Sequence, residues 1–354
     1  MPKLPTLDIA KRVNHSPHVV ILGAGATRAA APAGDANGVV VPVMNDLVGV
    51  IGIDDLLEQA GLEWEGKNFE DIYDQMYTTN KTGPIISQLE ERLTAFFSGL
   101  MLPQIANAYD YLILSLREKD LIATFNWDPL LVQAYRRHAR VGRLPRMVFL
   151  HGNVAIATCV HCRVKGYTGA TCVKCRQPLT PTGLLYPVRQ KDYTADPFIR
   201  SEWEELRHFL RHAYFLTIFG YSAPRTDTDA VELMKKVWDQ NDTRTLAQVE
   251  IIDIKNKNEL HAMWDPFITR QHFGIKKRIR TSYLCWHPRR SCEALAFATL
   301  QNDPWEDNWM PDVSDLEVLQ RWIRPLLDEE QALEQQGIPL TGQPCPAVSW
   351  GAAP

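Results

Sequence analysis

The stretch HVVILGAGAT, residues 18–27, is an apolar run that ends in a turn containing Gly23 and Gly25. Its first five residues are typical of a buried strand. Four more apolar strands are predicted, each preceded by a helical pattern: LIATF (121–125), PRMVFLHG (145–152), AYFLTIFGYS (213–222) and QVEIIDIKN (248–256). Strands that alternate with helices predict an α/β fold, with an open, mostly parallel sheet and helices on both faces.

The composition is that of an ordinary globular protein, with 45% hydrophobic and 23% charged residues. The net charge of -4 argues neither for nor against a nucleic-acid partner. No apolar run approaches the roughly 18 residues of a membrane span, and the N-terminus has no apolar signal-peptide core. These features predict a cytoplasmic protein with no membrane partner.

The sequence divides into segments of different pattern. Residues 1–280 contain the predicted strands, residues 54–120 read as a helical insertion, and residues 155–180 form a cysteine-containing module. Residues 281–354 are predicted to be a mostly helical extension that ends in a Pro- and Gly-containing tail.

Polar residues follow the predicted strands in GAGAT, FNWD, HGN, GYS and IID. In open α/β sheets, ligands bind beyond the carboxyl ends of the strands. The glycines of GAGAT allow the backbone to approach a pyrophosphate held at helix N-terminal amides, but they equally fit a structural turn. The complete GxGxxG pattern is missing, because position 28 is Arg.

Three of these strand-end residues each allow two interpretations. Asp253 can accept hydrogen bonds from ribose hydroxyls or cap a helix. Asn126 is either a turn former or an amide with a role in a site, because a buried amide needs several partners. His151 is either a core histidine or a base that titrates near neutral pH.

Four of the seven cysteines form two CxxC pairs, Cys159 with Cys162 and Cys172 with Cys175. Two such pairs supply four thiolates to one tetrahedral site, which is typical of structural zinc without an open position for catalysis. His161 lies inside the first pair and is a further candidate ligand, although we favour four cysteines.

These motifs, in this order over residues 18–256, resemble those of the sirtuin superfamily. The matching elements are Gly23-Ala24-Gly25, Thr124-Phe125-Asn126-Trp127-Asp128, His151-Gly152, the four cysteines, Gly220-Tyr221-Ser222 and Asp253. The resemblance implies a Rossmann-like, NAD-binding domain. It assigns catalysis to Asn126, Asp128 and His151, and it assigns NAD binding to Gly23, Ala24, Gly25, Thr27, Gly220, Ser222 and Asp253.

The departures from the protein-deacylating sirtuins are also informative. Their Ser-Gly-Ile-Pro-Asp-Phe-Arg segment is replaced by ATRAAAPAGDANGVVVPVMNDL, and no acyl-lysine cleft motif is evident. This variant set of motifs resembles that of the bacterial sirtuin-like NAD hydrolases, many of which act in phage defence. We therefore expect hydrolysis of NAD to nicotinamide and ADP-ribose. The alternatives are an NAD-dependent protein deacylase and a non-catalytic sensor of NAD or ADP-ribose.

A partner surface is a further expectation. KKRIR at 276–280, with Arg289 and Arg290, forms a basic cluster interleaved with Tyr283 and Trp286. Such a cluster can bind nucleic acid, but we favour a solvated basic face against the acidic C-terminal helix. The resemblance to defence proteins implies a protein activator or a homo-oligomer.

Overall fold

The structure, a computed structural model, describes residues 10–11, 13–79, 83–188, 191–241, 247–268, 272–301 and 303–340. The predicted tail and Cys345 lie outside this range. The strands are β1 (His18–Leu22), β2 (Leu121–Thr124), β3 (Arg146–Phe149), β4 (Ile156–Thr158), β5 (Lys165–Tyr167), β6 (Thr180–Pro181), β7 (Phe215–Phe219), β8 (Gln248–Ile252) and β9 (His272–Lys276).

Helices connect and cover these strands. They are α1 (Ala24–Ala30), α2 (Leu47–Ile51), α3 (Asp54–Gln59), α4 (Phe69–Thr79), α5 (Pro84–Gly99), α6 (Ala108–Leu114), α7 (Leu130–His138), α8 (Pro197–His212), α9 (Thr228–Trp238), α10 (Lys257–Ile268), α11 (Tyr283–Trp286), α12 (Ser291–Gln301) and α13 (Leu316–Gln335). Short 3₁₀ turns span Arg225–Asp227 and Ile279–Thr281. No helix within the described ranges combines the length and apolar character needed to cross a bilayer.

The main sheet has six parallel strands in the order β3-β2-β1-β7-β8-β9. Successive residues of β1 face opposite sides, as a strand requires. Val20 and Leu22 pack with α2 to α6, whereas Val19 and Ile21 pack with α8 to α10. This arrangement confirms the predicted Rossmann-like sheet with helices on both faces and a helical segment between β1 and β2.

The edge strand β9 was not predicted from the sequence. Its residues HFGIK are half-buried or exposed, and they include a histidine, a glycine and a lysine instead of a continuous apolar run. An edge strand has only one paired neighbour and is less buried than a central one, so its pattern is weak.

The basic cluster packs against the acidic helix α13, as favoured from the sequence. Arg289 pairs with Glu330 and Arg290 with Glu329, each at 2.7 Å. Both arginines are buried, not solvated as expected, because α13 covers them. Lys276 lies over the ring of Trp286 at 4.0 Å. This part of the cluster is therefore a structural contact within the chain.

Candidate functional site

The sheet order changes direction at β1, which has β2 on one side and β7 on the other. Such a switch point opens a crevice at the carboxyl ends of the strands, where open α/β proteins bind ligands. Two loops meet there. The amide of Gly25 donates to the carbonyl of Gly220 at 2.9 Å, and the amide of Gly23 donates to the carbonyl of Phe219 at 3.1 Å.

The glycines of both loops are required by this close approach. A Cβ on Gly23 would lie 2.6 Å from Tyr221 Cα, and one on Gly25 would lie 2.8 Å from Gly220 Cα. Gly220 has φ +60 and would place a Cβ 2.2 Å from the Ala26 nitrogen. The packing of two loops therefore explains these glycines by itself, and their contact with a pyrophosphate stays a prediction.

Asn126 follows β2 and its side chain reaches across to the β1 turn. Its Nδ2 donates to the Gly23 carbonyl at 2.9 Å, to Thr27 Oγ1 at 2.9 Å and to the hydroxyl of Tyr109 at 3.3 Å. The residue is 8% exposed, so its side chain is a buried amide with the several partners that such a group needs. Helix α6, which carries Tyr109, covers this edge of the sheet.

Asp128 is buried in the same network. Its Oδ2 accepts from Thr27 Oγ1 at 2.8 Å, and its Oδ1 accepts from the Leu130 amide at 3.0 Å. Burial raises the pKa of the carboxyl to about 6, although both hydrogen bonds act in the opposite direction. Asn153 Nδ2 donates to the carbonyls of Asp128 and Asn126, at 2.7 and 3.1 Å, and so fixes the whole loop.

The indole between these two residues has a packing role. Trp127 is buried and contacts the rings of Phe97 and Tyr186 edge-on, at 5.8 and 5.3 Å between centroids. It therefore anchors the FNWD segment in the core beneath the helical segment, while its two polar neighbours form the network.

His151 lies at the end of the adjacent strand β3 and is 5% exposed. Its ring contacts Phe125 edge-on at 4.8 Å, and its Nε2 lies 3.7 Å from Asp227 Oδ1. Burial lowers the pKa of the imidazole to about 3, against the opposing effect of the Asp227 charge. The buried, neutral ring fits the interpretation of a core histidine, and its role as a base stays a prediction.

Asp227 was not identified from the sequence, although it ends the segment GYSAPRTD. It accepts from the Tyr221 hydroxyl at 2.9 Å and pairs with the buried amine of Lys191. Burial acts to raise the pKa of Asp227, but the charge of Lys191 and the hydrogen bonds from Lys191 and Tyr221 help to lower it below its usual value. Asp227 is thus a buried anion held next to the imidazole.

The aromatic ring of Phe125 joins the two groups of polar residues. It stacks on Tyr221 at 4.2 Å and contacts His151 on its other side, while the next residue is Asn126. The structure therefore brings Gly23, Thr27, Asn126 and Asp128 into one network and places His151 beside it.

The other three predicted residues, Ala24, Ser222 and Asp253, lie at the same edge but outside these networks. Ser222 is exposed, and Asp253 is half-buried with its Oδ1 accepting from the Lys255 amide at 2.9 Å. Helix α10 is capped by Asn256, whose Oδ1 accepts from the Glu259 amide. Asp253 therefore forms a turn and is not the helix cap considered from the sequence. Ala24, the first residue of α1, is half-buried.

Thr27 offers a test of whether the first network is structural. Thr27→Val keeps the size of the side chain but removes the hydroxyl that contacts Asn126, Asp128 and Tyr109. We expect the free energy of unfolding in urea to fall by about 1–3 kcal/mol, because buried groups lose a partner. Thr217→Val, which removes a buried hydroxyl 2.7 Å from His18, is the matched control. Unchanged stability with weaker nucleotide affinity would instead assign Thr27 to direct ligand contact.

The four cysteines of the two CxxC pairs come together in the turns that connect the strands of a separate three-stranded sheet, with order β5-β4-β6. Their sulfur atoms all lie within 4.8 Å of one another, and Cys159 Sγ is 3.5 Å from Cys175 Sγ. A tetrahedral zinc ion with Zn–S bonds of about 2.3 Å requires sulfur separations of about 3.8 Å. The cluster fits structural zinc with four cysteine ligands, as predicted, and His161 is exposed outside it.

Comparison with known proteins gives a limited result. No family model and no curated protein matches the sequence. A crystal structure of a Sir2 homologue–NAD complex is 14% identical and covers 82% of this chain and 90% of its own, with a TM-score of 0.39. A structure described as the basis for the mechanism and regulation of Sir2 enzymes is 16% identical, with coverages of 82% and 93% and a TM-score of 0.38. A structure on sirtuin substrate affinity is 15% identical, with coverages of 78% and 95% and a TM-score of 0.37.

Proposed function

We propose that this protein is an NAD glycohydrolase that cleaves the bond between nicotinamide and ribose. The observation that carries the proposal is that Asn126 and His151 follow the ends of the adjacent strands β2 and β3, and that Asn126 bonds to the glycine turn at the switch point. The ordered sirtuin-like motifs of the sequence support the same substrate. A zinc ion held by the four cysteines would stabilise the fold and take no part in the reaction, because its four ligands leave no open position.

Asn126 and Asp128 act on the substrate in this mechanism. Nicotinamide leaves as a neutral molecule with the electron pair of the C–N bond, so the ribose gains positive charge as the bond breaks. Asn126, fixed by three contacts, positions the ribose or the attacking water. Asp128 accepts from the nicotinamide carboxamide with a lone pair that its two protein donors leave free.

His151 acts as the base. Burial keeps the imidazole neutral at pH 7, and the charge of the adjacent Asp227 acts to raise its pKa, which favours uptake of a proton. Asp227 faces Nε2, favours the tautomer with the proton on that atom, and stabilises the imidazolium that forms. Nδ1 then takes the proton of the water whose oxygen forms the new bond to the ribose. The products are nicotinamide, ADP-ribose and one proton.

Hydrolysis is favoured over deacylation by the segment that follows α1. Deacylating sirtuins have their Asp-Phe-Arg element in this region. Here the carboxylate of Asp35 accepts from the amides of Asn37, Val39 and Met101, at 2.8 to 3.0 Å, which folds the segment onto the end of α5. The proposal also includes a biological role: the protein acts in phage defence. Its activity there depends on an activating partner or on assembly into a homo-oligomer.

The direct test is nicotinamide release from NAD by the pure protein, with and without an acetyl-lysine peptide. Release at the same rate in both samples supports the hydrolase. Release that requires the peptide would establish a deacylase, and binding of NAD without release would establish a sensor. Because an activator can be required, the assay is repeated after addition of a lysate from cells that lack the gene for this protein. Such a lysate can supply the activator without supplying the protein itself.

Asp253→Ala separates ribose recognition from chemistry. We expect the Kd for NAD to rise about tenfold, since a hydrogen bond from a neutral donor to a charged acceptor is worth about 1.5 kcal/mol or more. The maximal rate should stay within about twofold, because Asp253 is outside the network of Asn126. Asp315→Ala, which removes a carboxylate that caps α13, is the control. An unchanged Kd would show that Asp253 only stabilises its turn and does not contact the ribose.

A further inference from the structure

The distribution of charge along the chain is uneven. Residues 129–191 contain eleven Lys and Arg side chains and no Asp or Glu, although the whole chain has a net charge of -4. At the average frequency of 42 acidic residues in 354, a stretch of this length would contain about seven. The segment comprises α7, β3 and the cysteine module, so the module and the elements that precede it form a basic region of the molecule.

Some of these cations are neutralised by carboxylates from other segments. Arg143 pairs with Glu118 and Glu334, and Arg146 pairs with Glu205. Three more cations have partners in the same way: Arg137 with Asp110, Lys165 with Glu202, and Lys191 with Asp227. The carboxylates of these pairs come from α6, the loop after it, α8, the turn Arg225–Asp227 and α13.

The unpaired cations concentrate at the cysteine module. Arg136, Arg140, Arg163, Lys174 and Arg176 are exposed, and none of them has a carboxylate partner among the residues that the structure describes. The guanidinium carbon of Arg136 lies 4.9 Å from the centroid of the Tyr167 ring, which brings α7 against the module. We call Arg136, Arg163, Lys174 and Arg176 the module surface.

The cysteine cluster sets the spacing of this surface. Arg163 and Arg176 each follow the second cysteine of a pair, and their amides donate to the Cys159 and Cys172 carbonyls at 2.8 and 2.9 Å. Both arginines have positive φ, 53 and 63, so the two turns have the same conformation. Because the four sulfurs lie within 4.8 Å of one another, the two turns that carry Arg163 and Arg176 are neighbours.

We propose that the module surface binds the phosphodiester backbone of nucleic acid. Three of its four cations are arginines, whose planar fork matches phosphate oxygens. Several neighbouring cations without carboxylate partners suit a polyanion with regularly spaced charges. A membrane is a weaker match, because Val160 and Val173 are the only large apolar side chains exposed on the two turns, and interfacial anchoring uses a broad apolar helix face. The proposal does not depend on the NAD chemistry.

The test is fluorescence anisotropy of the full chain with a labelled 20-base-pair DNA duplex, and with single-stranded DNA and RNA of the same length. Four phosphate contacts predict that affinity for the duplex falls about a hundredfold between 50 and 200 mM salt. Arg163→Gln with Arg176→Gln should reduce the slope of log affinity against log salt by about 1.8, which is two contacts. The ratio of the three affinities identifies the preferred nucleic acid.

The matched control is Arg143→Gln with Arg146→Gln, which makes the same change in net charge at two exposed arginines that have carboxylate partners. The control should keep the wild-type slope. Zinc content and melting temperature show that both double variants are folded. Equal losses in the two double variants would overturn the proposal, as would no binding at 50 mM salt. Binding to vesicles with phosphatidylserine but to none of the nucleic acids would also overturn it.

Discussion

His151→Ala is expected to lower the rate of nicotinamide release by about a hundredfold or more, because a positioned base contributes about 10²–10⁴ to a rate. His18→Ala is the matched control. His18 is also fully buried with a pKa lowered to about 3, and it contacts Ser291 and Thr217 instead of the strand ends. The measurement is the rate of the folded protein at saturating NAD, beside its melting temperature.

Asn126→Ala should lower the same rate about a hundredfold, since a positioned hydrogen bond of this kind is worth about 2.7–4 kcal/mol in the transition state. The buried position also predicts a loss of about 1–3 kcal/mol in stability. Asn241→Ala removes another buried amide, bonded to the carbonyls of Leu210 and Ala213, and should affect stability alone.

The double variant of Asn126 and His151 should show a smaller fold-loss in rate than the product of the two single fold-losses, because both groups act on one reacting centre. Wild-type rates in folded single variants would remove both residues from the site.

Cys172→Ser is expected to have the largest effect on folding. A structural zinc ion contributes about 10–16 kcal/mol of binding free energy, which exceeds the stability of a typical domain. The variant should lose bound zinc, measured by mass spectrometry of the metal, together with its soluble yield. Cys285→Ser changes a buried thiol outside the cluster and should keep one zinc per chain. A stable, fully active Cys172→Ser protein without metal would show that the cysteines have another role.

The sequence predicted the central strands well because they are continuous apolar runs between turn residues. It also located the strand-end residues, since parallel strands bring their carboxyl ends to one edge. It did not identify Tyr109, Lys191 or Asp227. These residue types are common in any sequence, and the contacts of Tyr109 with Asn126 and of Lys191 with Asp227 join positions far apart in the chain. No local sequence pattern therefore indicates them.

The burial of Asn126 and the low pKa of His151 could not be predicted for a related reason. Both depend on what covers the sheet edge. The α6 residue Tyr109 closes over Asn126, and the ring of Tyr193 stacks beside His151 at 6.1 Å. The sequence indicates that these segments are helix and loop, but it does not indicate which of their side chains fill the space above the strands.

The pairing of Arg289 and Arg290 with α13 limits how the chain can be shortened. Truncation before α13 would leave two guanidinium groups in the interior without counter-ions, and breaking a buried pair typically costs 3–5 kcal/mol. The last helix is therefore obligatory for a stable product of limited proteolysis or gene trimming, even though every candidate catalytic residue precedes it. The predicted boundary near residue 280 is therefore a poor place to end a shortened chain.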